Sequence, residues 1–70
     1  TAMPWTIELD REDDGRWIAE IDEIPGVLVY GSTREEAIGK VRSLALRVLA
    51  DRNDNGEHLA TLDQVFAVRP

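Results

Sequence analysis

The side chains that could carry chemistry in this chain are fourteen carboxylates, eight Lys or Arg side chains and one imidazole, His58. Cysteine is absent, which excludes a thiolate nucleophile, a disulfide framework and a thiolate metal site. A single histidine also excludes an imidazole-rich zinc site. His58 lies in a predicted loop, and no serine in a recognisable nucleophile motif lies near it in the sequence. We therefore expect a surface or loop-packing residue rather than a hydrolytic catalyst. The sequence therefore predicts no catalytic residue, no metal ligand and no cofactor.

The charge of the chain indicates what kind of partner it can have. A net charge of −6 argues against direct binding of nucleic acid, because phosphates require clustered Lys and Arg side chains. An acidic surface suits a basic protein partner, although many soluble proteins are equally acidic. The apolar runs are far shorter than the roughly 20 residues that span a bilayer, and no signal peptide is recognisable before Pro4. We expect a cytoplasmic protein that binds neither membrane nor nucleic acid.

Two strands joined as a hairpin are predicted to position the first group of carboxylates. Residues 5–10 and 17–22 alternate between two sets of side chains, the period of a strand with one buried face. A three-residue loop, Asp13-Asp14-Gly15, with its glycine left-handed, sets Leu9 opposite Ala19. A two-residue turn would instead pair a core residue with a solvent residue. We therefore expect the three-residue loop.

A third strand should follow a second turn. Pro25 fixes φ and Gly26 can adopt a positive φ, so this dipeptide predicts the turn. Residues 27–30 form a short apolar segment that Gly31 ends. The sequence thus predicts a meander of three antiparallel strands.

A capping box marks the start of one amphipathic helix over residues 34–52. The Thr33 hydroxyl and the Glu36 carboxylate can satisfy unpaired backbone donors, with Ser32 as an alternative cap one residue earlier. Apolar side chains then recur at intervals of three and four. Gly39 lies inside the helix at a cost of about 1 kcal/mol relative to alanine. We expect close packing against the sheet to explain it.

The C-terminal part is predicted to add a fourth strand. Residues 53–56 should end the helix, 58–63 form a loop or a short helical turn, and 64–68 form the strand. The expected fold is α+β, a two-layer β-β-β-α-β domain over residues 4–70 with strand order 3-2-1-4, the fourth strand being parallel to the first. Thr1 and Ala2 precede Met3, and we expect them to be a cloning remnant.

Several short motifs follow one another at defined spacing. They are Asp14-Gly15-Arg16-Trp17, Ile24-Pro25-Gly26-Val27, Gly31 and Thr33-Arg34-Glu35-Glu36-Ala37. Together they resemble the HicB-like antitoxin family, over about residues 5–49, although no single motif is specific. The resemblance implies a partial ribonuclease-H-like fold and neutralisation of a small mRNA-cleaving toxin of the HicA type. Many members also carry a C-terminal DNA-binding module, which we do not expect here because the sequence stops at Pro70. The alternative is an orphan, self-assembling HicB-like domain with no toxin and another role.

The implied fold raises a remote hydrolase alternative. Asp10, Glu20 and a third carboxylate would have to hold two Mg²⁺ ions for phosphodiester cleavage. The predicted register sets Asp10 opposite Ile18 and Glu8 opposite Glu20, and it places no third carboxylate at the end of a central strand. We therefore interpret these carboxylates as a solvated face and expect no enzymatic activity.

The face of the sheet away from the helix is the predicted binding surface, because one helix covers only one face. It should expose Ile18 together with either Leu28 and Tyr30 or Val27 and Val29. An apolar centre with a polar rim is typical of protein interfaces. The rim carboxylates expected to mask the basic RNA-binding surface of a toxin are Glu8, Asp13, Asp14, Glu20 and Asp22. We also predict a homodimer or tetramer, formed through this face or through the edge of the third strand.

Overall fold

The computed structural model describes residues 5–58, 66, 68 and 69. In chain order its elements are β1 (Glu8–Arg11), β2 (Trp17–Glu20), β3 (Leu28–Gly31) and α1 (Arg34–Asp54). The strands form one antiparallel sheet in the order β1-β2-β3, and α1 packs on one face of it. The predicted α+β class and the predicted order of these three strands are confirmed.

The hairpin between β1 and β2 has the predicted register. Leu9 lies opposite Ala19. The Glu12 N–H donates to the Arg16 carbonyl at 2.7 Å, and the Gly15 N–H donates to the Glu12 carbonyl at 2.9 Å. Three residues therefore form the loop, and Gly15 has a φ of +92°, a left-handed conformation that favours glycine.

Two consecutive tight turns connect β2 to β3. The Ile24 N–H donates to the Ile21 carbonyl at 3.1 Å, and the Val27 N–H donates to the Ile24 carbonyl at 3.2 Å. Gly26 has a φ of +85°, as expected for this turn. Because the Val27 N–H is used in the turn, β3 begins at Leu28, one residue later than predicted. The turns also bury Ile21, Ile24 and Val27 beneath the helix.

The capping box forms at the start of α1, with Thr33 as the N-cap. The Thr33 Oγ1 accepts from the Glu36 N–H at 3.0 Å. In return, the Glu36 carboxylate accepts from the Ser32 N–H at 3.1 Å, one residue before the N-cap. These reciprocal bonds fix the direction in which the helix leaves β3.

α1 ends at Asp54, two residues beyond the predicted end. Gly56 has a φ of +84°, and its N–H donates to the Asn53 carbonyl while the Glu57 N–H donates to the Arg52 carbonyl, both at 3.1 Å. This pattern is a Schellman motif, which needs a left-handed residue and so favours glycine.

The predicted fourth strand lies largely outside the described residues. Of residues 64–68, only Phe66 and Val68 are described, and both are exposed and lie outside the three strands. The segment 58–63 is likewise described only at His58.

The core lies between α1 and the sheet. Its buried side chains are Ala19, Ile21, Ile24, Val27, Ala37, Val41, Ala45 and Leu49. The four helical members follow one another at intervals of four, so they form one stripe along α1.

The predicted role of Gly39 is wrong. Gly39 is exposed, and a Cβ at this position would meet no described atom within 4 Å. The close-packed glycine is Gly31, where a Cβ would lie 2.6 Å from the Ala37 amide nitrogen. The sheet therefore approaches the first turn of α1 closely at β3.

Candidate protein-binding face of the sheet

The face of the sheet away from α1, here called the open face, follows from the strand pairing. Two cross-strand rows make up this face. The first row is Asp10, Ile18 and Tyr30, and the second is Glu8, Glu20 and Leu28. The Asp22 carboxylate, from the turn after β2, lies beside Glu8 and Glu20. Of the two predicted alternatives for β3, the pair Leu28 and Tyr30 is confirmed, because Val27 is buried and Val29 packs on the core.

The centre of the open face is apolar. Leu28 is 44% exposed and Tyr30 is 42% exposed, while Ile18 between them and β1 is half-buried. No described residue of the same chain shields Leu28 or Tyr30 further. Large apolar side chains left at this exposure on one surface are characteristic of a binding site.

A cation borders this apolar centre at the hairpin end. The Arg16 guanidinium lies 4.6 Å from the centre of the Tyr30 ring, a cation–π distance. It also donates to the Asp14 carboxylate at 2.8 Å. The Arg16 backbone N–H and then its guanidinium hold the pKa of Asp14 below its usual value. Asp14 is thus paired within the chain, whereas Asp13 is exposed at the hairpin tip.

A cluster of three carboxylates borders the other end. Oxygen atoms of Glu8, Glu20 and Asp22 all lie within 4.8 Å of one another. A side-chain hydrogen bond with Asp22, and then the negative charge of that carboxylate, raise the pKa of Glu8 above its ordinary value of 4.5. Ionising all three groups is therefore unfavourable unless a cation approaches them.

This cluster is not the set considered for a hydrolase, because Glu8 and Asp22, and not Asp10, accompany Glu20. Asp22 lies two residues beyond the end of β2, the central strand, and reaches Glu8 and Glu20. The alternation already placed Asp22 on this face, although in the structure Asp22 lies in the tight turn that follows β2. Such a cluster can accept a metal ion, an ammonium or a guanidinium group, and exposed acidic groups of this kind are common without a metal.

Charge is distributed unevenly between the two layers. Residues 5–31 contain eight acidic and two basic side chains, a net charge of −6. The α1 segment, 34–54, contains five basic and four acidic side chains, a net charge of +1. The strand layer thus carries the net negative charge of the chain.

The remaining predicted features fit this arrangement. His58 is exposed just beyond the end of α1, so the predicted surface position is confirmed. Within the described part of the chain, no helix has the length and apolarity that crossing a bilayer requires.

Comparison with known proteins places the chain in a family. No curated protein and no solved structure matches it. One family model, a domain of unknown function named DUF1902, matches residues 5–69, a span that includes all three strands and the helix. Because the match covers almost the whole sequence, the chain belongs to the DUF1902 family.

Proposed function

We propose that this chain is an antitoxin-like protein, which binds a small, basic, mRNA-cleaving toxin of the HicA type and masks the surface on which the toxin holds RNA. The observation that carries the proposal is the open face, which joins a half-exposed apolar centre to a carboxylate rim. The proposal assigns binding, and no catalytic step, to this domain.

The apolar centre supplies the contact area for a partner. Leu28 and Tyr30 are the large side chains that a partner would desolvate, and burial of apolar surface contributes about 25 cal/mol per Å². Aromatic anchors near the middle of an interface often dominate its affinity. The Tyr30 ring is held in place by Arg16, which limits the side-chain entropy lost on binding.

The carboxylate rim supplies orientation and speed of association. Oxygen atoms of Glu8, Glu20 and Asp22 lie within 4.8 Å of one another, so the ionised groups repel one another in the free protein. A lysine or arginine side chain of the toxin relieves this repulsion when it enters the cluster. These lysine and arginine side chains of the toxin would otherwise bind RNA phosphates. When they are paired with the carboxylates, RNA is excluded.

The family resemblance supports the same proposal. The residues that carry it have structural roles: Gly15 and Gly26 adopt positive φ, Gly31 contacts Ala37, and Thr33 caps the helix. These roles support a common fold with HicB-like domains. The partner class rests on the acidic and apolar character of the open face.

The experiment is co-expression with the product of the neighbouring gene, which the proposal expects to be a small basic protein. The expected result is rescue of growth and co-purification of the two proteins. The double variant Glu20→Lys with Asp22→Lys should slow association by about tenfold at low salt, since electrostatic steering changes rates by roughly 10 to 1000-fold. Added salt should reduce the difference.

A matched control separates the open face from net charge. The double variant Glu35→Lys with Asp54→Lys changes the charge by the same amount, but both residues are exposed on α1. These changes place one cation at each end of the helix, where their effects on the macrodipole oppose each other. Equal association rates for the two double variants, or failure of the wild-type proteins to co-purify, would refute the proposal.

A further inference from the structure

The register shows which backbone groups of β3 point away from the sheet. The Ile21 N–H donates to the Val27 carbonyl at 3.1 Å, so these two residues form a hydrogen-bonded pair. Antiparallel pairs alternate between bonded and non-bonded. The N–H and C=O groups of Leu28 and Tyr30 therefore point outward. In agreement, the Lys40 ammonium reaches the Tyr30 carbonyl from that side at 3.3 Å.

This edge is open and has binding surface on both sides. No strand within residues 5–58 pairs with it, since β3 is last in the sheet. On the helix side lies a groove of about 470 Å³, lined by Val29, Gly39, Lys40, Ser43, Leu44 and Arg47. On the opposite side Leu28 and Tyr30 are half-exposed. Unpaired edges of this kind are templates for another strand.

We propose that β3 pairs antiparallel with β3 of a second copy, about a two-fold axis at Val29, to form one continuous six-stranded sheet. The Leu28 N–H and C=O then bond with the C=O and N–H of Tyr30 of the partner subunit, and the symmetric pair forms on the other side of the axis. Lys40 releases the Tyr30 carbonyl in the process. This inference goes beyond the toxin-binding proposal and does not depend on it.

The position of α1 relative to this axis follows from two contacts. Gly31 lies against Ala37 near the start of the helix, and the Arg52 guanidinium donates to the Pro25 carbonyl at 3.4 Å near its end, so α1 runs opposite to β3. Val29 is two residues from Gly31, about 6.6 Å along the strand. That distance equals about four helical residues. The helix position beside the axis is therefore near residue 41.

The helices then carry complementary charges across the axis. The two-fold axis passes beside α1 near residue 41. It therefore places Glu36 of one subunit opposite Arg47 of the partner subunit, and the symmetry creates a second, identical pair. Lys40 falls opposite Ser43 of the partner subunit rather than directly opposite a basic residue. Since α1 packs over β2 and β3, the two helices would lie about 10 Å apart, a normal separation for packed helices.

The open face is the less favourable surface for self-association. A dimer through it would bring two strand layers, each with a net charge of −6, into contact. Like-charge juxtaposition of that kind opposes association. The edge of β3 instead offers unpaired backbone groups together with the Glu36–Arg47 complementarity.

Hydrogen exchange combined with molar mass tests the proposal. In a monomer no strand among residues 5–58 pairs with the Leu28 and Tyr30 amides, so they should exchange rapidly, whereas a dimer should protect both. We expect a dimeric mass by light scattering at micromolar concentration, with protection that increases with protein concentration. A monomer at every concentration would overturn the proposal. A dimer in which the Leu28 and Tyr30 amides stay unprotected would also overturn it, because such a dimer would have to form through another surface, such as the open face.

Two pairs of variants complete the test. Leu28→Pro removes an outward N–H and should give a monomer, since proline is tolerated where an edge N–H faces solvent. Leu28→Ala keeps that N–H and should remain dimeric. Circular dichroism of the helix checks folding. Equal association of the proline and alanine variants would contradict edge pairing.

Arg47→Glu provides a test that leaves the strand unchanged. It should raise the dimer dissociation constant about tenfold, because the two-fold axis repeats the altered contact. Arg42→Glu is the control, since it makes the same charge change about 200° around the helix from Lys40. An equal effect of the two substitutions would overturn the predicted alignment of the helices.

Discussion

Substitution of Gly31 by alanine tests how closely β3 approaches α1. A Cβ on this buried residue would lie 2.6 Å from the Ala37 nitrogen, 2.9 Å from its Cα and 3.1 Å from its Cβ. Ordinary van der Waals contact begins near 3.4 Å. The two closest atoms are backbone, so they cannot rotate away as a flexible side chain would. Relief of the clash requires a shift of the first helical turn, whose direction is fixed by Thr33 and Glu36.

The expected loss of stability is large for so small a domain. Forced overpacking of a core costs about 1–3 kcal/mol, and the backbone contact places Gly31→Ala toward the upper end. A chain of this length has an unfolding free energy of roughly 3.5–10 kcal/mol. Gly39→Ala is the matched control, because no described atom lies within 4 Å of the place its methyl group would take. It should stabilise the protein by about 0.5–1 kcal/mol through helix propensity.

Urea unfolding followed by circular dichroism and tryptophan fluorescence measures both effects as shifts in midpoint at constant m value. Adding Ala37→Gly to Gly31→Ala removes only the Cβ contact and leaves the two closer backbone contacts. It should therefore fail to restore stability. Wild-type stability of Gly31→Ala, or restoration by Ala37→Gly, would refute the assigned packing.

Two carboxylates should give opposite dependences of stability on pH. The Asp22 hydrogen bond and neighbouring charges raise the pKa of folded Glu8, so its favourable contribution is complete below the unfolded value of 4.5 and is lost as pH rises through the folded pKa. Glu8→Gln should therefore raise the melting temperature at pH 7, with a gain that disappears in acid; a gain independent of pH would contradict this. The Ser32 N–H lowers the pKa of Glu36, so its contribution is present above 4.5 and is lost as pH falls through the folded pKa. Glu36→Gln should destabilise the protein at pH 7 and much less in acid. Thermal unfolding across this pH range measures the difference. An equal loss of stability at both pH values would rule out the charge-assisted cap.

The hairpin and the helix start could be predicted because local sequence determines them. Alternation with a period of two fixes which side chains of β1 and β2 face α1, and only the loop with left-handed Gly15 keeps Leu9 opposite Ala19. The capping box likewise depends on Thr33 and Glu36 alone. The class of the fold follows from these elements, because one helix and one meander leave few two-layer arrangements.

The errors concern contacts between elements, which local patterns do not specify. The sequence shows that Gly31 and Gly39 lack a side chain, but not which one meets a neighbour. A signal was nevertheless available for Gly39. It lies two residues from both Ala37 and Val41, about 200° around the helix from each, so it falls away from the buried stripe. For Asp22, the missing information was the course of the tight turn after β2, which leaves its carboxylate beside Glu8 and Glu20.

The separation of charge between the layers assigns different surfaces to the two proposed associations. Between Glu36 and Asp51, α1 carries Lys40, Arg42 and Arg47 and no acidic side chain, whereas residues 5–31 carry a net charge of −6. A basic toxin is therefore attracted to the open face and repelled by the middle of the helix. The strand layer of a second copy, with its own net charge of −6, is repelled by the open face. Antiparallel pairing of β3 keeps both helices on the same side of the extended sheet, so each subunit of a dimer retains an accessible open face.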